Sequence, residues 1–252
     1  MKKILSNTIL VIAIGVFLFS GYKLYQIFSE YNKGDVEYEA IEESVIKQNV
    51  PQNDEEGVPV EEPRYVVDFA MLQQINPDVV AWIRFDEPEK INYPVVRGQD
   101  NKKYLDTTFE GKKNGAGTLF VDYRNTGDFS DANTFIYGHN MKNGSMFGQL
   151  RKYKNNTFCE EHPYFYIYTP DGKETTYQIF SVSIVKDTSK SYTRDFATDG
   201  EFQEYIDYIR GISQYSSPVE VGVENQIVSL STCTNVNEDE RILIHGVKIG
   251  EK

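Results

Sequence analysis

Ile227-Val228-Ser229-Leu230-Ser231-Thr232-Cys233 leads into a polar turn, Thr234 to Glu240, after which Arg241 opens the apolar run Ile242 to Ile249. Two strand-like runs around a short polar loop read as a β-hairpin. Alternation puts Ile227, Ser229, Ser231 and Cys233 on one face of the first strand. Arg241, Leu243 and His245 share a face of the second. Cys233 and Arg241 then meet at the hairpin mouth, with Ser231 as the same-face neighbour of the thiol. This arrangement suits acyl transfer: the thiol attacks a carbonyl and the cation stabilises the charge that develops on its oxygen. Taken alone, Cys233 reads equally well as a small buried hydrophobe, and Arg241 as a salt-bridge residue beside Glu238, Asp239 and Glu240.

Outward from the hairpin, further strands are expected at Val79–Phe85, Tyr93–Val96, Gly117–Val121, Thr134–Tyr137, Tyr164–Thr169 and Thr175–Lys186. Pro170-Asp171-Gly172-Lys173 joins the last two as a tight turn. Helical spacing appears at Tyr65–Gln74, ended by Asn76-Pro77, and at Glu201–Ile212, where Phe202, Tyr205, Ile206 and Ile209 share a face. Many short strands with few helices predict a mainly β fold, a closed or nearly closed barrel with helical insertions. The chain's 252 residues suffice for one such core plus an anchor and a linker.

The anchor is expected at residues 1–25. Lys2 and Lys3 precede the apolar segment Ile4 to Phe19, and residues 4–22 approach the ~20 residues that span a bilayer. The lysines favour a cytoplasmic N-terminus and an exported C-terminal domain. A cleaved signal peptide is the rival reading. No small-x-small cleavage site follows Phe19, however, and Tyr22, Lys23 and Tyr25 suit an interfacial anchor. Residues 26–64 read as an acidic extracellular linker, with a helix possible within Val36 to Gln48. Lys33 to Asp68 holds eleven acidic and three basic residues, most of the net charge of −12. Pro51, Pro59 and Pro63 fit a flexible spacer. The rest of the chain therefore carries only −4. It has no basic stripe for nucleic acid, no phosphate or dinucleotide loop and no metal cluster, and Glu238–Glu240 reads as a solvated turn. No cofactor is expected.

A thiol nucleophile needs a base, because free Cys is only a few per cent thiolate at neutral pH. His245 lies four residues along the strand from Arg241, roughly 13 Å away in a regular strand. His162 precedes Pro163 and reads as a surface turn residue. His139 ends a strand in Tyr137-Gly138-His139-Asn140, as Cys233 ends its own, and Gly138 permits close approach. His139 ranks first of the three. Cys159, beside Phe158, reads as a structural thiol.

These residues resemble a known family. Ser229-Leu230-Ser231-Thr232-Cys233 with Arg241 is similar to the Thr-Leu-x-Thr-Cys…Arg signature of sortases, with Ser229 where the signature usually has Thr. Tyr137-Gly138-His139-Asn140-Met141 and Gly144-Ser145-Met146-Phe147 resemble the histidine segment of class B sortases. The helix Glu201–Ile212 resembles the class B insertion, and the resemblance spans about residues 65–250. It implies a membrane-anchored cysteine transpeptidase outside a Gram-positive membrane. Such an enzyme cuts a C-terminal sorting signal of a surface protein after Thr and holds the product as a thioester. It then passes the product to an amine of a lipid-linked cell-wall precursor or a pilin lysine. Carried over by motif, Cys233 is the nucleophile, His139 the general acid/base and Arg241 the oxyanion or substrate-orienting cation. Thr188–Thr193 resembles the loop that covers the sorting peptide. Ser231 by its alternation, and Tyr192 and Thr193 by that resemblance, are the substrate-binding candidates.

Two other function classes fit the sequence: a cell-wall cysteine hydrolase with water as acceptor, and a tethered β-barrel adhesin without activity. Thiol labelling separates the enzymes from the adhesin. A nucleophilic Cys233 reacts with iodoacetamide faster than Cys159 and with a pH dependence that His139→Ala alters. Equal, slow labelling of both thiols would favour the adhesin.

Overall fold

The computed structural model describes residues 2–48 and 63–252, with the side chains of residues 2–6 left aside. Most of the linker's prolines, Pro51 and Pro59 among them, lie outside the described residues, as do the side chains of Lys2 and Lys3.

Helix α1 (Lys2–Val45) runs through the apolar segment and on into the acidic one. The reading of the whole acidic stretch as a spacer is thereby corrected. Its last turns bury Tyr38, Ile41 and Val45 against the domain, a stripe at i, i+3 and i+7. The acids of this stretch meet backbone and amide donors. Glu30 Oε1 accepts from Gly115 N–H at 2.7 Å, Glu37 Oε1 from Glu110 N–H at 3.1 Å and Glu42 Oε1 from the Asn92 amide at 2.6 Å. The Tyr38 hydroxyl donates to Gly117 O at 2.5 Å and accepts from Phe109 N–H at 3.3 Å.

Strands β1 (Ile46–Gln48) and β2 (Tyr65–Val67) form a small antiparallel pair, with Ile46 opposite Val67. The helix expected from Tyr65 therefore starts later, as α2 (Phe69–Ile75). The β-branched Val66 and Val67 pair as strand, and Asp68 caps the helix by accepting from Met71 N–H at 2.9 Å.

The barrel is built from β3 (Val79–Arg84), β4 (Asn92–Val96), β5 (Leu119–Val121), β6 (Asn133–Tyr137), β7 (Tyr164–Tyr168), β8 (Glu174–Lys186), β9 (Ile227–Cys233) and β10 (Glu240–Glu251). It closes in the order β10-β8-β7-β3-β4-β5-β6-β9, the closed mainly β architecture expected from the sequence. A short helix α3 (Asn156–Glu161) precedes β7, and α4 (Asp199–Gly211) lies between β8 and β9.

Alternation sorts the late strands into two faces. Val228, Leu230, Ile136, Ile242 and Ile244 join the large core shared by the barrel strands. Ile227 and Val247 pack instead with Phe202, Tyr205, Ile206 and Ile209 of α4. Phe135 and Leu243 pack with Val185 and Tyr192. The insertion after β8 thus covers the outer face of β6, β9 and β10.

Tyr38 joins α1 to the barrel. Tyr38→Phe, which leaves a buried carbonyl short of its donor, is expected to cost about 1–3 kcal/mol. Tyr38→Ala adds a cavity, for about 3–5 kcal/mol in all. Urea unfolding of the detergent-solubilised chain measures both, and two unchanged midpoints would show that α1 does not belong to the folded unit.

Candidate active site

Strand β9 lies between β6, to which it is parallel, and β10, to which it is antiparallel. The parallel register sets Tyr137 opposite Ser231. Two residues on, at the same strand ends and on the same face, come His139 and Cys233. On the other side Arg241 is paired directly with Cys233. Imidazole, thiol and guanidinium therefore stand in a row across three adjacent strand ends. All three line one cleft of about 350 Å³, together with Leu105, Tyr192 and Ser231.

The row is held by backbone bonds. Gly138 N–H donates to Ser231 O at 3.1 Å, and the Asn140 side-chain amide donates to Cys233 O at 2.7 Å. The Asn235 amide donates to Asn140 O at 2.7 Å. Only glycine fits at 138, because a Cβ there would lie 2.3 Å from Leu119 Cδ2 and 2.7 Å from Phe147 Cδ2. The following loop folds back so that Phe147 N–H donates to His139 O at 2.9 Å.

His139 Nε2 lies 2.7 Å from Leu105 O. A carbonyl only accepts, so Nε2 carries the proton and Nδ1 is the basic nitrogen. Arg241 Nη1 donates to Glu238 O at 2.6 Å and Glu240 O at 3.0 Å, and Nη2 meets Asp187 Oδ2 at 3.2 Å. The guanidinium is thus tethered at the cleft edge by the acidic turn. Tyr192 shares a 2.8 Å hydrogen bond with Ser231 Oγ and stacks on Phe135, and burial pushes its hydroxyl up to about 12.

Thr193 does not join the cleft. It is exposed, and its hydroxyl turns back to Lys190 O at 2.8 Å while its carbonyl accepts from the Asn133 amide. The local turn, closed through Ser189 and Lys190, points this residue away while Tyr192 points in.

The structure adds residues that sequence reasoning missed. Asp122 is fully buried behind the cleft wall. Its carboxylate accepts from Arg124 Nε and Nη2 at 2.8 and 2.6 Å, from the Asn101 amide at 3.1 Å and from the Tyr137 hydroxyl at 3.0 Å. Burial alone would raise its pKa, but the bonds from Arg124 outweigh that and hold it at about 2. Arg124, Asn101 and Tyr137 all line the cleft. The available signal was position: Asp122 directly follows the end of β5, as His139 and Cys233 follow or close theirs.

The other candidates fall elsewhere. His162 ends α3 with its ring against Phe158. Cys159 is buried in α3, and burial raises its thiol. His245 is buried opposite Ser229, its Nε2 3.3 Å from the Tyr205 hydroxyl. Its Nδ1 has no partner among the described residues. Burial lowers its pKa to about 3, so the folded chain refuses a proton that the unfolded chain accepts below about 6.5. Stability is therefore lost as pH falls from about 6.5 towards 3. His245→Gln is expected to flatten that loss, by a few kcal/mol at pH 4. Urea midpoints at pH 7 and pH 4 measure it, and parallel losses in both proteins would exclude His245 as the cause.

Comparison with known proteins agrees with this geometry. The family model described as "Sortase domain" matches residues 87–249. Sortase B of Listeria monocytogenes serovar 1/2a is 34% identical over 97% of each chain. Among solved structures, sortase B from B. anthracis superposes with a TM-score of 0.74 at 31% identity, covering 88% of this chain and 99% of its own. A Staphylococcus aureus sortase B–substrate complex gives 0.67 at 32% identity, covering 72% and 84%. With the signature residues gathered in one cleft of the matching barrel, the chain belongs to the sortase family, as a class B member, and is a cysteine transpeptidase.

Proposed function

We propose that Cys233 is the nucleophile, His139 the general acid/base and Arg241 the cation that stabilises the oxyanion or orients the substrate. The observation that carries this reading is the single row of the three groups across β6, β9 and β10, with the thiol in the middle. The Cys233 thiolate attacks the carbonyl carbon of a threonine in the sorting signal. Arg241 faces the oxygen that gains charge. Protonated His139 gives its proton to the departing amine, and a thioester remains. An acceptor amine then attacks the thioester, loses its proton to His139, and the thiolate leaves as the new amide forms. Such preorganised charge and proton transfer supply most of the rate in acyl transfer. Ser231 and Tyr192, bonded to each other on the cleft wall, are the proposed substrate contacts.

The substrates are surface proteins bearing a C-terminal sorting signal, and the acceptor is an amine of a lipid-linked wall precursor or a pilin lysine. The apolar part of α1 anchors the enzyme, with residues 4–22 in lipid, the N-terminus cytoplasmic and the barrel outside. One described helix, within which Asn7–Val45 is the candidate span, is long and apolar enough to cross a membrane.

A peptide-library cleavage assay on the full chain tests the assignment, with mass spectrometry for a threonyl thioester on Cys233. Cys233→Ala abolishes cleavage with the fold intact. His139→Ala lowers it roughly 10²–10⁴-fold and Arg241→Ala about 10²–10³-fold. Arg241→Lys recovers little, since a point charge lacks the planar fork. Turnover by Cys233→Ala would sink the proposal.

A further inference from the structure

Large apolar side chains stay exposed along α1 from Ile9 to Phe28, which is itself 66% exposed. The next contact with the barrel comes almost at once. Glu30 Oε1 accepts from Gly115 N–H, and Glu30 O from the Asn114 amide at 2.9 Å. Less than one helical turn separates Phe28, where this continuous exposed apolar run ends, from the first contact with the folded domain. Residues 2–28 of the helix measure about 40 Å at 1.5 Å per residue, which matches a bilayer with its headgroup layers. Phe28 then falls in the outer headgroup layer, and the barrel has no room to stand clear of it.

Nor does α1 offer a hinge above that point. Between Tyr22 and Val45 it contains no proline and one glycine, Gly34. A Cβ at Gly34 would lie 3.4 Å from Ala116 Cβ, so that glycine serves close packing against the barrel.

Glu30 meets the barrel at Asn114 and Gly115, within the segment 102–117, where Lys112 and Lys113 are exposed. Lys112 pairs with Glu110 and Glu37, and Lys113 with Asp106. This mixed-charge surface suits a headgroup layer without requiring an anionic lipid. The same segment reaches the cleft. A Cβ at Gly117 would lie 2.9 Å from Leu105 O, and Leu105 O is the partner of His139 Nε2. By the reach of the chain through these contacts, His139 is within roughly 25 Å of Glu30.

We propose that segment 102–117 is a membrane-facing surface that rests on the lipid headgroups. Helix α1 acts as a rigid strut and holds the cleft at one fixed, low height over the bilayer, within reach of substrates that are themselves membrane-held. The inference rests on the anchoring proposed above.

Tryptophan quenching tests it in the full chain reconstituted in phosphatidylcholine vesicles that carry a nitroxide on the headgroup. The native Trp82 is buried and provides the unquenched baseline. Phe28→Trp reports the anchor and Lys113→Trp the proposed surface. Quenching of both supports the inference. Quenching at 28 with none at 113 overturns it while the anchor stands, and quenching at neither overturns the anchor and the inference together. Inserting Gly-Ser-Gly-Ser between Ser29 and Glu30 is then expected to abolish quenching at 113. The insertion lowers turnover of a lipidated sorting peptide and leaves that of a soluble peptide unchanged. Equal turnover of the lipidated peptide with and without the insertion would overturn the role of the strut.

Discussion

The site depends on one register. Strands β6 and β9 run parallel with Tyr137 opposite Ser231, and that pairing alone makes His139 level with Cys233. A slip of one residue would turn the imidazole to the other face, into the barrel core. The register is fixed from both sides of the sheet. Inward, Ile136 and Leu230 must stay in the shared core. Outward, Phe135 stacks on both Tyr137 and Tyr192. At the end of the ladder Gly138 admits Leu119 and Phe147 so closely that no other residue fits. The Asn140 amide then ties the histidine loop to the Cys233 carbonyl. Hydrophobic burial of one face thus aligns the chemistry on the other.

The hairpin of β9 and β10 was legible in the sequence because its pattern is local: alternation, a polar turn and two marked strand ends. The pairing of Cys233 with Arg241 follows from that pattern without knowledge of the fold. The meeting of His139 with Cys233 does not. About ninety residues separate β6 from β9, and a parallel neighbour leaves no turn signal between its strands. Position at a strand end, the preceding Gly138 and the motif resemblance rank His139 without placing it. Asp122 had the strand-end clue, but nothing in a single Asp-Tyr-Arg run tells that the carboxylate turns inward to collect Arg124, Asn101 and Tyr137. Tyr192 and Thr193 are both candidates by the resemblance of Thr188–Thr193 to a family loop; the turn that sends one in and the other out is a backbone property.

Residues 26–45 show a different kind of illegibility. Acid-rich composition reads as solvated chain, yet Glu30, Glu37 and Glu42 each accept from an N–H of the barrel. Composition counts charges and is blind to donors on a surface not yet folded. The apolar stripe of Tyr38, Ile41 and Val45 is sparse, and only the partner surface makes it sufficient. The segment is better described as the outermost layer of the domain than as its leash.

The candidate site lies on the convex side of a closed cylinder, with the cylinder's lumen filled by its own side chains. A polymer laid across such a surface enters no tunnel and has no end to thread. A folded protein can therefore present a short tail and keep its body outside, and the product can leave sideways as readily as the substrate arrived. The size of the cargo is unconstrained by the volume of the catalyst.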